Sequence, residues 1–82
     1  GPMKINLLLF GITADLIGKN TLDFEVSENT TVEALKTALL SKFVQLQNLK
    51  SYAIAVNEKY ASDEVKLQAN DVVAIIPPVS GG

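Results

Sequence analysis

The residues with the clearest opening for chemistry stand at the end of the sequence, Pro77-Pro78-Val79-Ser80-Gly81-Gly82. Each proline fixes its own φ and pushes the residue before it into extended backbone, so this segment is expected to leave the preceding strand in a stiff, directed way. Six residues at about 3.3–3.6 Å each reach roughly 20 Å, enough to thread from one protein's surface into another's active site. Gly81 and Gly82 have no side chains and could pass a channel too narrow for any other residue. A terminal Gly-Gly is weak as a lone signal, since glycine at about 7% of residues gives it by chance in roughly 0.5% of chains. Frayed terminal residues are the plain alternative.

Elsewhere the sequence is poor in reactive groups. It contains no Cys and no His, which removes disulfides, a zinc site, the commonest general base and the best side-chain nucleophile. No metal-ligand set is expected. Asp63-Glu64 and Asp71 offer carboxylates, but acids at a turn are ordinarily solvated rather than catalytic, which makes an autonomous hydrolase the weakest reading. A self-sufficient enzyme is therefore not expected.

The scaffold that must position the tail is small. Eighty-two residues make one domain, taken as residues 3–82 with a flexible Gly-Gly end, because Gly1-Pro2 ahead of Met3 reads as an expression remnant. No apolar run approaches the roughly 18 residues of a membrane span. Seven Lys and no Arg stand against nine Asp plus Glu, a net charge of −2, which is a poor footprint for a phosphate backbone and argues against nucleic acid as a partner. The imbalance is local: residues 1–35 hold two Lys and five acids, residues 36–82 five Lys and four acids. No signal-like N-terminus is visible, so a cytoplasmic address is expected.

Hydrophobic patterning predicts an α+β fold. Residues 4–10 form a bounded apolar run of strand length. Residues 11–20 are mixed, with turn formers at Gly18-Lys19-Asn20. Residues 21–26 alternate, Leu22, Phe24 and Val26 on one face and Thr21, Asp23 and Glu25 on the other, which predicts a hairpin around Gly18. Thr30 with Glu33 reads as a capping box opening a helix. Val32, Leu35, Leu39, Leu40 and Phe43 then gather on one stripe running to about residue 43. After a polar stretch at 45–50, residues 52–56 are strand-like, Asn57-Glu58 a turn into a short extended piece, 63–69 indistinct, and 72–76 a strongly β-prone run stopped by Pro77-Pro78. Strand, strand, helix, strand, short strand, strand is the order of the β-grasp (ubiquitin-like) fold, a mixed sheet of four to five strands with one main helix packed on one face. A ferredoxin-like arrangement would need a second helix, which residues 61–70 do not offer.

One helix covers one sheet face, so alternation should leave the other polar, yet three strands break that rule. With Ile5, Leu7 and Leu9 inward, Leu8 and Phe10 point out; with Ile54 and Val56 inward, Ala53 and Ala55 point out; Val72, Ala74 and Ile76 oppose Val73 and Ile75. A contiguous apolar face on a small domain marks a partner surface, because keeping it in water costs about 25 cal/mol per Å² relative to burial. Alternatively Leu16 and Ile17 fold back over it.

The segment Asp71-Val72-Val73-Ala74-Ile75-Ile76-Pro77-Pro78-Val79-Ser80-Gly81-Gly82 resembles the C-terminus of the MoaD branch of the MoaD/ThiS sulfur-carrier family. Support extends to Ala55-Val56-Asn57, to Thr31-Val32-Glu33-Ala34-Leu35 and to Leu9-Phe10, so the resemblance covers nearly the whole chain. The ThiS proteins of thiazole synthesis and ubiquitin-like proteins share the final Gly-Gly but usually lack the double proline. Three departures concern partner specificity: Ile75-Ile76 stands where aromatics are common, Gly11 replaces a frequent Ala, and residues 12–18 lack a basic residue.

The resemblance implies a small subunit of molybdopterin synthase, non-catalytic alone and without a bound cofactor of its own. A MoeB-like adenylating enzyme would use ATP to activate the Gly82 carboxylate, and a sulfur donor would turn it into a thiocarboxylate. In a heterotetramer with a MoaE-like large subunit, which would hold the catalytic residues, sulfur would pass to cyclic pyranopterin monophosphate. Gly81 and Gly82 match the reactive tail, and Phe10 and Ile76 match partner-contacting positions. Leu8, Ala53 and the exit Pro77, Pro78, Val79 and Ser80 complete the expected partner-binding set. The absence of cysteine fits a sulfur carried on the main-chain terminus. Rival readings are a thiazole-pathway sulfur carrier, a ubiquitin-like modifier forming isopeptide bonds, and a plain binding module with an inert tail.

Overall fold

The computed structural model describes residues 1–49 and 51–78. Five strands, β1 (Pro2–Leu9), β2 (Thr21–Ser27), β3 (Ala53–Val56), β4 (Lys59–Tyr60) and β5 (Val72–Ile76), build one sheet in the order β2-β1-β5-β3-β4. β1 runs antiparallel to β2 and parallel to β5, and β3 is antiparallel to both β5 and β4. The main helix α2 (Val32–Lys42) supplies the β-grasp architecture expected from the element order.

Period-2 alternation decides what is buried. Ile5, Leu7 and Leu9 of β1, Phe24 and Val26 of β2, Ile54 of β3, and Val73 and Ile75 of β5 all enter one core, where they meet Val32, Leu35 and Leu39 of α2. Leu40 and Phe43 of the predicted stripe pack against its margin. Among the described residues no helix is long and apolar enough to cross a membrane.

Several sequence expectations shift. The helix N-cap is Thr31, not Thr30: its hydroxyl accepts from the Ala34 amide at 3.2 Å. Thr30 instead uses both its amide and its hydroxyl to donate to the Ser27 carbonyl, closing the preceding turn. Two threonines in succession look alike in sequence, and the β-extended backbone of Thr31 (φ −87°, ψ 167°) selects the second as cap.

The mixed segment after β1 contains a helix, α1 (Gly11–Ile17), ended by Gly18 in the left-handed region, whose amide donates to the Ala14 carbonyl. Seven residues give too few turns for a periodic stripe, so the hairpin was visible but the helix inside it was not. The polar stretch after α2 likewise holds a 3₁₀ helix (Val44–Asn48) that sends Leu46 fully into the core. Its Gln45 Nε2 donates to the Leu16 carbonyl, tying it to α1. Pro2, set aside from the fold, begins β1 opposite Ser27, a first-residue position where a proline loses no needed donor.

Replacing the helix cap tests the revised boundary. Thr31→Ala is expected to lower stability by about 1 kcal/mol in urea unfolding, with Thr31→Ser recovering most of it. A larger loss in Thr30→Ala than in Thr31→Ala would contradict the observed cap.

Candidate functional site

The ladder registers line up small and large side chains across the face away from α2. Leu8 lies opposite Ala74, Ala74 opposite Ala55, and Ala55 opposite Tyr60, a single row over β1, β5, β3 and β4. Ala53 opposite Ile76 begins the next row, at the end where Phe10 follows β1. Alanines in the middle and large apolar side chains at the margins make a dish, a hollow of about 350 Å³ lined by Leu8, Phe10, Tyr60, Val72, Ala74 and Ile76, together with Ala55 and Glu58. The lining is overwhelmingly apolar, with Glu58 its one charged side chain.

Three predicted partner residues, Leu8, Phe10 and Ile76, meet in this dish, and Ala53 flanks it in register with Ile76. Leu16 and Ile17 do not cover it; they are half-buried against the core. Sequence reading missed Tyr60 as a site residue. It is 76% exposed and sits on a two-residue strand whose alternation is too short to read; the turn Asn57-Glu58 was the usable signal. That turn has φ of 51° and 73°, the pair of left-handed residues that a tight two-residue hairpin needs.

Phe10 is held by its neighbours on the chain. Thr13, fully buried, accepts from the Phe10 amide at 3.1 Å, donates to the Phe10 carbonyl, and lies 3.5 Å from the Ile75 carbonyl. This fixes the backbone at the N-cap of α1 and leaves the ring 48% exposed. Gly11 turns the chain there with φ 54°, and a Cβ on it would come within 3.1 Å of Pro77 Cγ. The exit from β5 therefore lies against Gly11, next to Phe10. Pro77 is half-buried and Pro78 exposed. Val79, Ser80, Gly81 and Gly82 lie outside the described residues.

The remaining polar groups are structural. Asp71, 8% exposed, accepts from Asn57 Nδ2 at 2.9 Å and from the Gln68 amide at 2.8 Å, while Asn57 Oδ1 accepts from the Val72 amide and the Asn57 amide donates to the Val72 carbonyl. This knot joins the β3–β4 turn to the start of β5 and leaves neither Asp71 oxygen idle. Asp63 pairs with Lys36 at 3.0 Å, and the Lys36 ammonium lies 5.9 Å from the centre of the Tyr52 ring, whose phenol is pushed up by burial. Among the described residues no buried side-chain nitrogen or oxygen lacks a hydrogen-bond partner, so none is left orphaned.

A model of the ThiS family matches residues 7–82. The chain belongs to the ThiS family. Among curated relatives, the molybdopterin synthase sulfur carrier subunit of Arabidopsis thaliana is 35% identical over 81 residues, covering 98% of this chain and 84% of that protein. Among solved structures, small archaeal modifier protein 1 (SAMP1) of Haloferax volcanii superposes with a TM-score of 0.83 at 25% identity, over 96% of this chain and 99% of that one. A chain from the complex of subunits 1 and 2 of the molybdopterin-converting factor of Helicobacter pylori gives 0.64 at 27% identity, over 98% and 100%. This ThiS-family member thus shares fold and nearly full length with sulfur carriers and with a modifier.

The corner where α1, Phe10 and Pro77 meet gives the next expectation. Gly11→Ala must place a side chain in the left-handed region and against Pro77, and is expected to cost about 1–3 kcal/mol in urea unfolding. An unchanged midpoint would mean that this approach does not constrain the exit.

Proposed function

We propose that this chain is the sulfur-carrier subunit of a molybdopterin synthase. The observation that carries the reading is the ThiS-family match running through Gly81-Gly82, on a scaffold whose apolar dish borders the point where the chain leaves β5. The relatives named as molybdopterin synthase sulfur carrier subunits, at 35% identity over nearly the full length, favour the molybdopterin branch over thiazole synthesis.

In this reading the Gly82 carboxylate is the reactive group and Gly81 gives it access. A carboxylate is a poor electrophile, so a MoeB-like enzyme first transfers AMP to it from ATP with loss of pyrophosphate. A sulfur donor then displaces AMP and leaves a thiocarboxylate. Within a MoaE-like large subunit the thiocarboxylate sulfur displaces an oxygen substituent from a carbon of cyclic pyranopterin monophosphate, and hydrolysis of the resulting thioester returns the Gly82 carboxylate and leaves the sulfur on the pterin. Val79 and Ser80, which precede Gly81 in the sequence, belong to the partner-binding set of this reading. Leu8, Phe10, Ala53, Tyr60 and Ile76 dock the large subunit, where apolar anchors seated in a concave patch dominate affinity. The complex of two converting-factor subunits among the structural relatives supports a large-subunit partner, and a cytoplasmic setting and a two-plus-two assembly belong to the same reading. In this reading the chain binds no cofactor of its own, and ATP is used by the activating enzyme.

A second reading, a protein modifier joined to lysines through the same activated terminus, is favoured by the likeness to SAMP1. The two diverge only in what captures the activated carbonyl, sulfur or an amine.

Incubating the protein with its activating enzyme, ATP and a sulfur source should exchange one terminal oxygen for sulfur by intact mass. An unchanged mass sinks the sulfur-carrier reading, and lysine conjugates on a denaturing gel would install the modifier instead. Removing Gly82 should abolish the exchange and leave folding intact. In contrast, Ala74→Arg, which fills the dish, should prevent co-elution with the large subunit while the exchange at Gly82 persists.

A further inference from the structure

The sheet has two edges of unequal character. β4 is two residues long, too short to pair with a further strand. β2 is seven residues long, regular, and without proline or bulge. Leu9 donates to the Asn20 carbonyl, and antiparallel alternation from that bond turns the amides and carbonyls of Leu22, Phe24 and Val26 toward β1 and those of Thr21, Asp23 and Glu25 toward the open edge. Among the described residues none of these outward groups has a backbone partner, whereas the next one, the Ser27 carbonyl, is closed off by Thr30. Beside the edge, between β2 and α2, lies a groove of about 320 Å³ whose lining includes Val26, Thr30, Ala34 and Ala38. The small side chains of Ala34 and Ala38 on α2 keep it open.

Charge identifies what this edge accepts. Directly opposed residues of an antiparallel pair share a face. If β2 met β2 of a second copy with faces preserved, Asp23 would lie opposite Asp23, or Asp23 opposite Glu25, or Glu25 opposite Glu25, in the three registers centred on the strand. Each sets acid against acid, which destabilises the pair. Lys4 of β1 lies opposite Glu25 in register and 3.8 Å from Asp23, answering one of the two charges. Glu28 takes the N-terminal ammonium of Gly1, and Glu33 is exposed at the start of α2. The edge remains acidic.

We propose that β2 is a docking edge for an extended segment of a partner protein that carries Lys or Arg at alternate positions and small apolar residues between them. The segment adds as a sixth strand antiparallel to β2. Its backbone takes the free groups of Thr21, Asp23 and Glu25, its basic side chains face Asp23 and Glu25, and its apolar side chains enter the groove over Val26, Ala34 and Ala38. This edge lies across the sheet from Tyr60 and does not depend on the sulfur-carrier reading.

The test titrates the isotope-labelled protein with the peptide acetyl-Lys-Val-Lys-Val-Lys-amide and follows its amide resonances. Shifts confined to residues 21–27 and to Ala34 and Ala38, suppressed by high salt and absent with the Glu-Val-Glu-Val-Glu counterpart, are expected. The exposed double substitution Asp23→Lys/Glu25→Lys should keep the dispersed spectrum of the folded protein, weaken the basic peptide about tenfold or more, and gain binding of the acidic one. No shifts, equal response to both peptides, or shifts centred on Phe10 and Ile76 would overturn the proposal. So would concentration-dependent shifts of residues 21–27 in the free protein, which would make a second copy the occupant.

Discussion

A sheet has two faces, and this chain has material to cover one. At about 1.5 Å per residue, α2 is roughly 16 Å long, while five strands at about 4.8 Å spacing span roughly 19 Å. The helix is therefore shorter than the sheet is wide. The 3₁₀ helix, through Leu46, and the connection to β5, through Leu67, close what α2 leaves open on the same side. Among the described residues nothing of comparable size covers the other side. Whatever alternation directs there must live in water or against another protein, and the small-centred, large-rimmed row from Leu8 to Tyr60 is shaped for the second.

The position of the exit depends on how tightly that second face is tied to the core. Ile75 fills the core while Ile76 lines the dish, so successive residues of one strand belong to opposite environments. Thr13 sits where both can be felt, with its hydroxyl on Phe10 and near the Ile75 carbonyl. At the other end of β5 the Asn57–Asp71 knot fixes where the strand starts and, through the β3–β4 turn, where Tyr60 stands. β5 is thus held at both ends by hydrogen bonds of a buried polar side chain, Thr13 at one end and Asp71 at the other. Burial makes these contacts costly to break, because each group left unpaired would lose about 1–3 kcal/mol. The direction in which Pro77 leaves is an outcome of this bracing as much as of the prolines.

Much of this was legible because burial writes period-2 and helical patterns into a sequence. β5 was bounded correctly at both ends, by Asn70-Asp71 and by Pro77-Pro78, and the outer positions of Leu8 and Phe10 followed from alternation alone. What was lost were features shorter than the period that would reveal them, α1 with seven residues and the 3₁₀ helix; β4 was legible as a short strand after the Asn57-Glu58 turn, but two residues are too few to show which face Tyr60 takes. Asp71 was weighed as a solvated acid, and its burial became visible only when Asn57, fourteen positions away, was brought beside it. The dish itself is a relation among four strands, and no local window contains it. Family resemblance gave Phe10 and Ile76 but not the alanine floor between them, whose meaning lies in the size of its neighbours.

A scaffold without thiol or imidazole gains a particular freedom from that poverty. If the reacting atom belongs to the backbone terminus, no side chain in the fold needs a shifted pKa or a strained rotamer, and stability need not be traded against activity within the domain. The satisfied polar groups are consistent with that division: of Asp63, Glu64 and Asp71, the acids offered by sequence for hydrolysis, Asp63 pairs with Lys36 and Asp71 ties the β3–β4 turn to β5. Specificity must then come from surfaces. The dish beside the exit and the acidic edge of β2 occupy different parts of the sheet, with Leu8 of β1 at the rim of the dish nearest β2. Two partners could therefore be distinguished by two chemistries, apolar fit at one and basic charge at the other, without either altering the terminus they serve.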